Sequence, residues 1–237
     1  MATNMGGWDL DVPDICRAGL FIKDLRQFEQ AGDLPDFLII WLPCDHTSGT
    51  RFGSPTPAAQ VADNDLAMGR IVDAVSHSRF WKDTCIFAVE DDPQAGFDHV
   101  NGYRTIYVAS AYTRRGVTVS TQYNQTSLLR TMELILGLPP MNQMDATATP
   151  MFDCFTNQPN FTAFDAVSNN VPLDEMNPDP GKIADAQLRR DAQVSARLPL
   201  AKPDQCPEDV LNRILWRATM GTRPCPEWAV SAVDEDL

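Results

Sequence analysis

The chain has 237 residues, 43% of them hydrophobic, and 19 basic against 32 acidic side chains give it a formal net charge of −13. That length suits one large domain or a domain with an appendage, and the apolar fraction is enough to bury a core. The acidic balance argues against a nucleic-acid-binding surface or an anionic membrane, and no apolar run approaches the roughly 20 residues that a bilayer span needs.

In chain order, residues 13–30 read as a helix. Pro13 suits the first turn, and Ile15, Ala18, Phe21, Ile22, Leu25 and Phe28 form one apolar stripe that Gly32 ends. The continuous run 37-FLIIWLP-43 reads as a buried parallel strand. A polar loop, 44-CDHTSGTRFGSPTP-57, follows it. Residues 57–78 read as a second helix, with Val61, Met68, Ile71, Val72 and Val75 on one side, and 84-TCIFAVE-90 as a second buried strand.

After an acidic loop, 105-TIYVAS-110 reads as a third strand, and a helix from Thr126 to Leu136 is capped by Asn124 or Thr126 and ended by Gly137. Strands alternating with helices predict an α/β fold: a mostly parallel central sheet with helices on both faces. Beyond residue 155 the chain turns rich in Asn, Pro, Asp and Ala, with a charged helix at 182–197 and an amphipathic one at 207–221. This divides the chain into a core region, 1–155, and an extended segment with a docking helix, 156–237.

Two polar clusters follow predicted strands, where ligands bind in open α/β sheets. One is Asp45, His46 and Thr47; the other is Asp91 and Asp92, then Asp98 and His99. Carboxylates this close repel one another unless a cation intervenes, and a divalent ion would also supply Lewis acidity to an ester or phosphoryl oxygen. Zinc, manganese, magnesium and calcium all stay open on these ligand types. So does a plainer reading, in which Asp91 or Asp92 caps a turn, Thr47 and Ser48 shape a loop and His77 complements a helix C-terminus. The six cysteines show no metal-finger spacing. Cys44 and Cys85 read as reduced core thiols, while Cys206 and Cys225 flank a helix and would pair only in an oxidising compartment. There is no P-loop, dinucleotide fingerprint, HExxH or GxSxG.

On the stretches 33–50, 54–105, 123–155 and 211–221, with their DHTSG and EDD…DHV elements, the chain resembles the phosphoesterase branch of the alkaline phosphatase superfamily. More closely, it resembles the phosphatase part of bacterial proteins that often carry an N-terminal β-propeller. The resemblance implies a metal-dependent hydrolase of phosphoric esters. It implies Asp91 and Asp92 as metal ligands, His46 and His99 as the histidines that complete the site by binding a second metal or the substrate phosphate, and Asp45 and Asp98 as their orienting partners, with His46 and Asp45 counted among the catalytic residues. In that family a Ser or Thr near a helix N-terminus is the nucleophile, and it lies in an earlier half of the domain that residues 1–36 do not match. The nucleophile is therefore unknown, and the resemblance covers the C-terminal half of such a domain. A separate N-terminal half or a propeller is the implied partner. The family is commonly exported, whereas MATNMGGWDLDVPD has no basic and apolar signal regions and reads literally as cytoplasmic.

Overall fold

A computed structural model describes residues 7–90, 106–203 and 205–226. Its helices are α1 (Asp14–Ala31), α2 (Pro57–His77), α3 (Gln125–Leu136), α4 (Gln143–Thr147), α5 (Ala186–Ser195) and α6 (Glu208–Met220). Its strands are β1 (Cys85–Val89) and β2 (Ile106–Ser110).

The centre is the pairing of α1 with α2. Ala18, Phe21 and Leu25 meet Ala67, Ile71 and Val75, with Trp81 and Ala111 closing the cluster. Ala18 and Ala67 are fully buried, and such small side chains let the two helices approach closely. α1 ends where the sequence says it must: Gly32 takes φ 75°, and its N–H donates to the Phe28 carbonyl. Thr56 caps α2 by accepting from the Ala59 N–H, with Pro57 at the first position. Asn124 rather than Thr126 caps α3, accepting from the Ser127 N–H at 3.0 Å.

The sheet corrects the predicted architecture. Among the described residues it has two strands, and they run antiparallel, with Ile86 opposite Ala109 and Val89 opposite Ile106. The fold is mostly helical, not a mostly parallel sheet covered on both faces. Residues 37–43 are not a strand. Ile40 and Leu42 lean on the core while Ile39 is 80% exposed, so the backbone is extended with a two-residue alternation. No backbone hydrogen bond joins 37–41 to another described segment. An apolar run supplies the side chains of a strand, but a strand also needs a neighbour to bond its backbone.

The later segment is anchored rather than loose. Phe164 sits edge-on to Trp81 at 6.0 Å, and its backbone N–H donates to Ser76 Oγ at 2.9 Å. α5 and α6 are joined by Arg217, whose Nε and Nη2 donate to the buried Asp191 carboxylate at 2.6 and 2.7 Å. Leu211 and Ile214 of α6 are buried, as the stripe at 207–221 predicts. All six cysteines are free thiols, so Cys206 and Cys225 do not pair.

Candidate functional site

The loop at 44–51 is anchored by hydrogen bonds from several distant segments. It begins with a single 3-10 turn, Cys44–His46. The Cys44 N–H donates to Asp14 Oδ2 at 2.9 Å, and its thiol donates to the Val12 carbonyl. Thr47 then takes φ 66°, a conformation that costs a β-branched residue about 1–3 kcal/mol and persists only where its surroundings impose it.

Those surroundings come from three other parts of the chain and from one bond within the loop. The Ser48 N–H donates to Gln60 Oε1 of α2 at 2.8 Å. The Gly49 N–H donates to Thr47 Oγ1 at 3.2 Å. From α5, Ser195 Oγ accepts the Thr50 N–H at 3.1 Å. Asn177 Nδ2 donates to the carbonyls of Gly49, Arg51 and Pro55. Gly49 has φ 58°, and a Cβ there would lie 2.7 Å from Ser195 Oγ and 3.4 Å from Leu211 Cδ1.

Within this loop His46 is half-buried and Asp45 exposed. His46 Nδ1 lies 3.1 Å from the Thr47 carbonyl. A carbonyl only accepts, so this contact is a hydrogen bond when Nδ1 carries a proton. The indole of Trp8 stands edge-on to the imidazole, 5.0 Å between centroids at 82°. Thr47 and Ser48 are 3% and 0% exposed, which withdraws both from the role of substrate-facing nucleophile. Ser48 Oγ and Gln60 Nε2 are buried with no hydrogen-bond partner among the described residues.

The other predicted ligands, Asp91, Asp92, Asp98 and His99, lie outside the described residues. What the structure does show is where their segment is tethered. Val89 and Ile106 face each other across the ladder, so the chain leaves β1 and re-enters β2 at the same end of the sheet.

Two other groups of side chains have donor atoms within 4.8 Å of one another and could hold an ion: Asp14, Cys44 and Asp63, and Asp73, His77 and Asp165. The first is buried. Asp63 of α2 caps the N-terminus of α1, accepting from the Asp14 N–H at 2.5 Å and the Ile15 N–H at 3.4 Å. Asp14 in turn accepts from Arg17 Nε at 3.1 Å, Asn64 Nδ2 at 3.1 Å and the Cys44 N–H. Burial pushes both carboxyls above the usual carboxylate range, against the pull of these donors, and pushes the Cys44 thiol up as well. With Arg17 as internal counter-charge and the oxygens already engaged, the cluster joins α1, α2 and the 44–51 loop. Sequence reasoning passed over Asp63, although its spacing from Ala59 and Ala67 places it on the buried face of α2.

In the second group, His77 Nδ1 lies 3.1 Å from Asp73 Oδ1 and Nε2 lies 3.7 Å from Asp165 Oδ1. The Asp73 carbonyl, and behind it the two carboxylates, hold the imidazole above its usual range. Both nitrogens face acceptors, an arrangement that suits an imidazolium rather than a metal ligand.

No family model matches the sequence, and neither a curated protein nor a solved structure matches the chain. Among the described residues no helix is long and apolar enough to cross a membrane.

Proposed function

We propose that this chain is a metal-dependent hydrolase of phosphoric esters, with His46, Asp91, Asp92 and His99 as the donors that hold one or more divalent ions. The observation that supports it is the placement of His46: a half-buried histidine with Nδ1 3.1 Å from the Thr47 carbonyl, on a loop held by Gln60, Asn177 and Ser195 from three other segments. Strain held in this way clusters at functional sites, and a second hydrogen bond at Nδ1 is the usual companion of a metal-ligating Nε2. When bound, a divalent ion would polarise the phosphoryl oxygens and lower the pKa of water. The chain's own part would be to present the histidine nitrogens and carboxylates as donors.

The test combines calorimetric titration with Zn²⁺, Mn²⁺ and Mg²⁺ and hydrolysis of an aryl phosphate. Metal affinity and turnover that both fall in His46→Ala, Asp91→Ala and Asp92→Ala support the reading. Affinity untouched by all three substitutions sinks it.

A second reading has its own support: a phosphatase-like module that binds metal or a partner without turnover. Phe37, Leu38, Ile39 and Trp41 are 53%, 42%, 80% and 43% exposed on a segment with no backbone partner among the described residues. An extended apolar segment with open backbone groups is a template for another strand, such as one from a separate N-terminal half. Metal binding without hydrolysis, gained only when such a polypeptide is added, decides for this reading.

A further inference from the structure

We propose that the groove between α1 and α2, toward their C-terminal ends, binds a small apolar carboxylate, with its head held by Arg26 and Arg70 and its body laid on Ile22 and Ala74. Asp14, which anchors the 44–51 loop, stands at the opposite end of α1, roughly 18 Å from Arg26 at about 1.5 Å per residue. The groove therefore stands or falls apart from the proposed metal ligands.

The groove encloses about 390 Å³, a volume typical of small-molecule sites. Positions 22, 26 and 29 of α1 and 70, 74 and 77 of α2 line it, each set at the three- and four-residue spacing of one helix face. Ile22 and Ala74 are half-buried and give it an apolar floor. The two carboxylates on its rim are already engaged. Asp73 Oδ2 accepts the Ala166 N–H at 2.8 Å, and Oδ1 lies 3.1 Å from His77 Nδ1. Glu29 Oε1 accepts the Arg79 N–H at 3.4 Å. Helix C-termini repel an anion, but these two have cationic side chains beside them. His77 Nδ1 lies 3.0 Å from the Asp73 carbonyl, and Arg79 Nη1 lies 3.7 Å from where a Cβ on Gly32 would stand. What is left over is cationic. Arg26 and Arg70 are exposed, and neither makes a hydrogen bond or ion pair among the described residues. Arg70 acts on the buried Asp63 through its field. Each arginine has a carboxylate three residues along its own helix, within reach of an ion pair, yet that carboxylate is turned to another partner. A guanidinium fork can take both oxygens of a planar carboxylate. A monoanion fits better than a dianion, because Glu29 and Asp73 on the same rim repel a second negative charge.

The test is an NMR titration of the full chain with benzoate, in buffer free of divalent ions so that the proposed metal ligands take no part. Benzoate is expected to shift the backbone amides of residues 22–29 and 70–78, with a Kd on the order of 1 mM. Acetate lacks the apolar body and benzyl alcohol lacks the charged head, so each should bind roughly fivefold more weakly. Arg26→Gln and Arg70→Gln should each weaken benzoate by roughly two- to fivefold, the worth of an exposed ion pair. Arg197→Gln, which removes an exposed arginine on the turn after α5, should leave binding unchanged. Benzoate that shifts none of these amides overturns the proposal. So does an equal effect of all three substitutions, or inorganic phosphate binding more tightly than benzoate. Should either groove variant not fold, the nuclear Overhauser contact between bound benzoate and the Ile22 methyls in wild type decides: its presence supports the proposal and its absence overturns it. A chain that takes benzoate here but binds no Zn²⁺ keeps this site and removes the proposed metal function; the reverse result removes this site alone.

Discussion

Asp63→Ala tests whether the buried carboxylate cluster is structural. The substitution removes the acceptor for two N–H groups in the first turn of α1, one of them on Asp14, a fully buried residue. Pro13, at the N-cap position, offers no side-chain hydrogen bond in its place. Losing a cap costs about 1 kcal/mol. Leaving a buried N–H unpaired adds about 1–3 kcal/mol. Removing a carboxylate beside that of Asp14 offsets part of this, because the two repel. The expected net loss is about 2 kcal/mol, which for a chain of this size lowers Tm by about 4–8 °C.

The pH dependence is more diagnostic than the loss itself. In the fold, desolvation raises the Asp63 carboxyl above its usual value. A raised group binds its proton more readily folded than unfolded. Its contribution to stability therefore grows as pH falls from the raised value toward the unfolded value of about 3.9. The variant lacks this titration, so the gap between wild type and Asp63→Ala should widen in mild acid. An exposed capping carboxylate, with a lowered pKa, would give a gap that narrows. Urea unfolding at neutral and mildly acid pH reads this directly. A loss below about 0.5 kcal/mol, or a gap that narrows in acid, would refute the reasoning.

Gly49→Ala should destabilise the chain by about 2 kcal/mol, since the new Cβ would meet Ser195 Oγ at a positive φ. Ser195→Ala in the same chain should recover only part of that, as seen by thermal unfolding, because the backbone strain stays. Ile39→Lys should leave stability within about 0.5 kcal/mol and reduce self-association in sedimentation, given 80% exposure; a loss of fold would mean that this side chain is covered. His77, raised by Asp73 and Asp165, contributes stability on the acid side that is lost as pH rises through its folded pKa. An NMR titration should show that pKa fall in Asp73→Asn.

Much of the helical structure was legible in the sequence because its causes are local. The stripe of α1 and the glycine after it, Thr56 with Pro57 at the start of α2, and Asn124 before α3 act within a few residues of each other. β1 and β2 were legible as strands, but their direction was not, since direction depends on a partner and not on composition. The run at 37–43 shows the same limit: its side chains have strand character, and nothing in them reports whether a neighbour bonds the backbone. In the site, His46 and its loop stood out through residue type. The residues that give the loop its shape, Gln60, Asn177 and Ser195, did not, because an amide or hydroxyl acting from a distant segment has no local pattern.

The anchoring of the 44–51 loop also sets a clock. Thr50 and its acceptor Ser195 are 145 residues apart. At the pace of synthesis, roughly 5–20 residues per second, that distance corresponds to roughly 7–30 s. Throughout that interval the nascent chain already carries the DHTSG sequence but not Ser195, and for most of it not Asn177 either. A transcript broken before about codon 195 would yield the same five letters without the same loop. The loop's shape is thus a property of the finished polypeptide, and it would register premature termination far downstream of itself.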